Sequence, residues 1–285
     1  IWHHWWHAAH STDEVLLKKV AYLNPNFFFI RAAFFFAVWS LTAWWFARTS
    51  AAQDAKGEPG LTVRLQQVAP PAMFVFALTL TFAAFDWLMS LDPHWYSTIF
   101  GVYVFAGSVT SSLSVLCLIN IGLQKAGLLG QVSSVEHRHD LGKLLFGFIV
   151  FWAYIGFSQY FLIWYANIPE ETIFYHHRWG GPWKAISMLL LFGHFIVPFW
   201  VLMSRHAKRS MTTLAGASVW MLFMHWIDMY WLVMPTLDHH EGGHESFPGG
   251  YVGWPDLAAL LLMVGVLFFF NAPAATEIYT LSPHD

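Results

Sequence analysis

Phe85-Asp86-Trp87-Leu88-Met89-Ser90-Leu91-Asp92-Pro93-His94-Trp95-Tyr96-Ser97-Thr98-Ile99-Phe100-Gly101-Val102-Tyr103-Val104-Phe105-Ala106-Gly107 decides how this chain is read. An apolar run enters it with a single carboxylate, Asp86, near its end. The run breaks at Asp92-Pro93, and a second apolar run leaves through two glycines. The break gathers an acid, an imidazole, an indole and a phenol within five residues. Apolar sequence on both sides of a short polar, aromatic corner is the pattern of two membrane spans joined at a bilayer surface.

Composition carries the same message outward. Of 285 residues, 57% are hydrophobic and only 11% charged, against about 25% charged in a soluble domain. Lipid is therefore the expected solvent. The net charge of −3 argues against nucleic acid as a partner. One cysteine, Cys117, lies in an apolar run, which excludes an internal disulfide and a thiolate-held metal or iron–sulfur cluster. Seventeen tryptophans suit interfacial belts, and sixteen histidines ask for a further explanation. The chain opens at Ile1 and runs into His3-His4-Trp5-Trp6-His7. That segment lacks the basic and apolar parts of a signal peptide and reads as an internal loop of a longer protein.

Seven segments are long and apolar enough to cross: 26–47, 68–90, 98–124, 141–168, 183–204, 212–234 and 254–273. All are expected to be helices, since an open strand leaves its backbone unsatisfied in lipid. The fold class is thus all-α, a polytopic transmembrane bundle over 26–275, after an outer loop with an interfacial segment over 1–25 and before a tail at 276–285. Pro70-Pro71 are placed near a helix start, Pro198 is expected to kink its span, and 50–60 reads as a polar loop. Arg48, Lys56, Arg64, Lys125, Arg138, Lys143, Arg205, Lys208 and Arg209 fall on one side, and Lys18, Lys19, Arg178 and Lys184 on the other. The positive-inside rule puts the first set, and the C-terminus, in the cytoplasm. Most loop histidines then lie outside, in 3–7, 176–177 and 239–244, with His94. His137, His139, His206 and His284 are the exceptions.

Ionisable groups within the spans are the candidates for function. Arg31 lies about 8 Å inside the first span, and Asp86 and Asp228 lie at a similar outer depth. Two readings stand side by side: a salt bridge of Arg31 with Asp86 or Asp228, or a carboxylate that relays protons. His225 and Asp228, three apart, share a helix face and suit a relay, and His194 sits at the depth of His225. Ser108, Ser111 and Ser112 either permit close helix packing or line a file of water leading inward from Asp86. Tyr154 and Ser158 extend the candidate path on the fourth span, and Asp140 with Lys143 would form its cytoplasmic mouth. Three other uses of the same residues remain open. Asp86, His94 and Tyr96 would accept protons from a quinol. His194 and His225 would ligate a haem b. A transporter or channel would use the polar path with no redox partner. The loop histidines 239, 240 and 244 offer only a loose surface-metal spacing, so no metal site is assigned.

The run 85–107 resembles the integral membrane subunits of alternative complex III, the bacterial quinol:cytochrome c oxidoreductase. So do Gly193-His194-Phe195-Ile196-Val197-Pro198-Phe199, the run from His225-Trp226-Ile227-Asp228 to Pro235, and the run from Tyr154 through Ser158-Gln159-Tyr160 to Tyr165. Among these subunits the chain looks most like the ActF type, a polysulfide-reductase-like (NrfD-like) protein. The resemblance implies a subunit of about ten helices in two bundles, of which this chain is the C-terminal part. It implies no redox cofactor in this chain. The quinol or menaquinol site belongs to a companion NrfD-like membrane subunit, and iron–sulfur clusters and c-type haems to outer-face partners, with a terminal oxidase beyond them. It implies structural support and a proton path for this subunit, in the bacterial inner membrane and its respiratory electron-transport chain.

Overall fold

The computed structural model describes residues 13–129 and 133–238, with the side chains of 237 and 238 left out. The loop at 3–7, the histidines 239, 240 and 244, the seventh expected span at 254–273 and the tail at 276–285 lie outside the described residues.

Every regular element among the described residues is helical. A short α1 (Glu14–Lys19) leads to α2 (Pro25–Lys56) and α3 (Pro59–Trp87), which ends in a 3-10 turn at Met89–Leu91. Next come α4 (Phe100–Lys125), α5 (Val135–Ala166), the short α6 (Pro169–Trp179) and α7 (Trp183–Leu189). A π-helical turn at Leu190–Ile196 joins α7 to α8 (Val197–Met203), and α9 (Arg205–Arg209) precedes α10 (Met211–Asp238). Five of these are long and apolar enough to cross a membrane: Pro25–Lys56, Pro59–Leu91, Phe100–Lys125, Val135–Ala166 and Trp183–Met203. α10 has 28 residues, enough for about 42 Å. His225, Asp228 and its three tryptophans dilute its apolar character, and it stands outside that set.

Several sequence expectations change at helix ends. The loop expected at 50–60 shrinks to Gly57-Glu58 because Ala51, Ala52, Gln53, Ala55 and Lys56 are strong helix formers. Gly57 closes α2 at φ 64°, the left-handed value that glycine adopts without a Cβ penalty. Pro59 therefore occupies the start of α3, and Pro70-Pro71 fall inside the helix rather than near its beginning. In lipid-facing helices, neighbouring groups absorb that loss of backbone bonds. Ser134 caps α5 through a capping box with His137, which starts that span six residues earlier than its apolar run. The stretch 169–179, expected as loop, forms α6, with Glu170 and Glu171 in its first turn and Arg178 in its last, as the helix dipole favours.

α4, α5 and α10 pack together with the 183–203 helix. Their core is aromatic toward one end (Trp95, Phe100, Tyr103, Trp152, Phe174) and aliphatic toward the other (Leu145, Ile149, Leu202, Leu214, Met221). α2 and α3 attach through α4 and leave Phe29, Ile30, Phe34, Phe36, Leu41, Phe74 and Phe82 exposed, the surface that lipid covers in a membrane protein. At one end of the bundle Trp95 stacks on Phe174 at 4.0 Å and donates to the Glu171 carbonyl at 3.1 Å. At the same end Lys19 Nζ donates to the Pro93 carbonyl at 2.5 Å, and His94 Nε2 meets Asp13 Oδ2 at 2.5 Å. The opposite end carries Arg209 paired with Glu136, and Lys208 capping the Leu202 carbonyl at 2.7 Å. The corner 92–96 and the basic turns thus lie at opposite ends, as the charge pattern expects.

Candidate functional site

Proline sets the local geometry twice. Pro198 lacks the N–H that would close on the His194 carbonyl, and the turn ahead of it widens into the π helix that carries His194. The expected kink at Pro198 therefore takes the form of a π turn. Trp220 Nε1 donates to the Gly193 carbonyl at 2.7 Å and ties that turn to α10. Near the far end of α10, Pro235 frees the Trp231 carbonyl in the same way. Arg178 Nε donates to it at 3.2 Å, while Nη2 reaches the Leu232 carbonyl at 2.9 Å and Nη1 the Phe174 carbonyl at 2.9 Å. Burial pushes this guanidinium down to about 9, still charged at neutral pH.

Between these two points lies a buried polar cluster. Asp228 is 0% exposed. The Tyr103 hydroxyl donates to its Oδ1, and Trp152 Nε1 donates to its Oδ2 at 3.1 Å. His225 Nδ1 stands 3.9 Å from Oδ2 on the same face of α10. His194 is also 0% exposed, its ring 3.8 Å from that of Trp152. Gly107 makes room for His225, since a Cβ there would lie 2.8 Å from His225 Cε1. Both ring nitrogens of His194, Nδ1 of His225 and Ser111 Oγ are buried without a hydrogen-bond partner among the described residues, and Ser218 Oγ lies at the Cys117 thiol. Ser111 follows Gly107 by one turn of α4, and Ser218 precedes His225 by about two turns of α10. Both lie toward the basic end of the bundle.

Asp86 belongs to a different site. Arg31 Nε donates to its Oδ2 at 2.6 Å, and Arg31 Nη1 reaches the Tyr22 carbonyl at 3.0 Å. The rings of Tyr22 and Phe27 cover the guanidinium at 3.9 and 4.2 Å. Burial, reinforced by the neighbouring Asp86, pushes the Tyr22 phenol up to about 12. The salt bridge thus forms with Asp86 and not with Asp228, and Asp86 Oδ1 and Arg31 Nη2 are left buried without a hydrogen-bond partner among the described residues.

The remaining sequence candidates scatter. Of the three serines, only Ser111 turns a buried hydroxyl inward; Ser112 is exposed and donates to the Ser108 carbonyl at 2.9 Å. Their 100° spread around α4 is too wide for one buried face. Tyr154 is exposed at the bundle surface, Ser158 is half-buried, and Asp140 pairs with Lys143 at 2.7 Å on the basic end. Asp86, His94 and Tyr96 do not converge: Asp86 is in its ion pair, His94 faces Asp13, and Tyr96 is exposed. Tyr103 and Trp152 are the site residues that sequence reasoning missed. The signal was the run Tyr103, Gly107, Thr110, Ser111, Ser114, which recurs at helical spacing on one side of α4.

A cavity of about 670 Å³ opens beside the cluster, with an apolar lining that includes Phe100, Phe157, Phe174 and Trp231 and polar groups from Tyr103, Gln159 and Tyr175. Tyr103 connects it to Asp228. The His194 ring lies against Trp152, and the His225 ring lies against Gly107. Compared with known protein families and with curated proteins, the sequence gives no match.

Proposed function

We propose that this chain is the ActF-type, NrfD-like membrane subunit of an alternative complex III, and that it conducts protons without carrying a redox cofactor of its own. The observation that carries the proton role is Asp228, fully buried and held by Tyr103 and Trp152, with His225 the only basic side chain within salt-bridge distance among the described residues. A carboxylate, a phenol and two imidazoles in one cluster are the donors and acceptors of which a proton relay is built. The path runs from the basic end past Ser218 and Ser111 to His225 and His194, on to Asp228, and through Tyr103 to the cavity wall. With the basic end in the cytoplasm of a bacterial inner membrane, the cavity and the corner 92–96 face the outer side. There a companion NrfD-like subunit, an iron–sulfur subunit and c-type cytochromes dock, and the complex hands electrons from quinol or menaquinol to a terminal oxidase.

The test is turnover and proton-to-electron stoichiometry of the assembled complex carrying Asp228→Asn or His225→Ala. Both quantities unchanged would remove the proton role. A second reading, quinol binding by this chain, rests on the cavity rather than on Asp86, His94 and Tyr96. Its volume of about 670 Å³ and apolar lining suit a small lipid-soluble ligand, and Tyr103 offers a proton route from it. Photo-crosslinking with an azidoquinone decides: labelled Phe157 or Tyr160 supports this reading, and label confined to the companion subunit ends it.

A further inference from the structure

His194, His225 and Asp228 each offer one ligand atom, and these three atoms lie within 4.8 Å of one another. Two come from one face of α10 at i and i+3, and the π turn ahead of Pro198 brings the third across from the neighbouring helix. Two imidazoles and one carboxylate are a donor set that first-row divalent cations take, and Zn²⁺ accepts three such ligands with a fourth position open. Bonds of about 2.0–2.2 Å place tetrahedral ligand atoms roughly 3.3–3.5 Å apart. His225 Nδ1 and Asp228 Oδ2 stand at 3.9 Å and the His194 nitrogen within 4.8 Å of both, so the three ligands close by up to about 1.5 Å on the cation.

Two further observations point to a ligand. Among the described residues neither ring nitrogen of His194 has a hydrogen-bond partner although the residue is fully buried, and His225 Nδ1 has none either. Asp228 is already oriented by Tyr103 and Trp152, the outer hydrogen bonds that hold a metal-binding carboxylate in place. Trp152 also lies against the His194 ring and fixes its plane.

We propose that this triad binds a single divalent transition cation of the Zn²⁺ class in the middle of the bundle. The site stands on the triad's geometry and not on the redox complex proposed above; a bound cation occupies the atoms that would relay protons, so the loaded and proton-conducting forms of the cluster are alternative states. The carboxylate offsets one of the two charges of the cation.

The test uses the full chain in detergent, stripped with a chelator and titrated with Co²⁺ and then Zn²⁺. Surface histidines bind these ions too, so the triad is read by difference. Wild type is expected to take up one equivalent with the visible absorption of tetrahedral Co²⁺ and a zinc K-edge signal of two imidazoles. That equivalent disappears in His194→Ala and Asp228→Asn and stays in His94→Ala. Trp152→Phe, which keeps all three ligands, is expected to weaken it by about 10- to 100-fold, and this variant carries the test if the ligand variants do not fold. Equal uptake by wild type, His194→Ala and Trp152→Phe, or a K-edge signal that persists in His194→Ala, would overturn the proposal.

Discussion

Asp86 and Asp228 look alike in sequence: single carboxylates near the same end of apolar helices. The structure gives them opposite surroundings. Asp86 meets a guanidinium at 2.6 Å, itself stacked on two aromatic rings. Asp228 meets a phenol, an indole and an imidazole. The first arrangement matches charge with charge and fixes α2 against α3. The second supplies hydrogen bonds and titratable neighbours without a permanent cation. A buried carboxylate paired with arginine serves architecture, and one surrounded by proton donors and acceptors is equipped for transfer.

The comparison breaks most visibly in activity. Asp228→Asn keeps the size and hydrogen-bonding shape of the side chain but removes its proton exchange. Turnover of the proposed complex is expected to fall about 100-fold, while Asp86→Asn in a folded complex changes it far less. Equal losses would erase the distinction. The next effect is on stability. Arg31→Leu leaves Asp86 buried and unpaired and is expected to cost about 3–5 kcal/mol, with most of it restored in the double variant Arg31→Leu/Asp86→Leu. Unfolding in mixed detergent, followed by tryptophan fluorescence, measures both. Gly107→Ala sharpens the other side: its Cβ pushes His225 away from Asp228, at about 1–3 kcal/mol of overpacking, and turnover drops with it.

The smallest effect is on the outer corner, where His94 holds the Asp13 carboxyl below its usual value of 3.8. A depressed folded value means the contact contributes fully above the unfolded value and is lost as pH falls through the lower folded one. The protection factors of the 92–96 amides, measured against the intrinsic exchange rate at each pH, are therefore expected to hold down to about pH 4 and to fall below it. In Asp13→Asn that acid step is absent.

Much of this was legible in the sequence. Apolar runs located the helices, and loop charge sorted their ends. The equal depths of Arg31 and Asp86 made their pairing an open alternative. The limits follow from the same composition. Helices that are apolar all round carry no clear inward face, so Ser108, Ser111 and Ser112 entered the candidate path together although only Ser111 points inward. Tyr103 and Trp152 resemble any interfacial aromatic until a second helix brings Asp228 to them. The π turn under His194 depends on how the chain absorbs Pro198, and the proline itself permits a plain kink equally well.

The most direct measurement is redox-induced infrared difference spectroscopy of the assembled complex, comparing Asp228→Asn with Asp86→Asn. The expected result is a carboxylic-acid band that shifts in deuterated water, disappears in Asp228→Asn and persists in Asp86→Asn. A band that survives Asp228→Asn and vanishes with Asp86→Asn would contradict the assignment of proton transfer to Asp228.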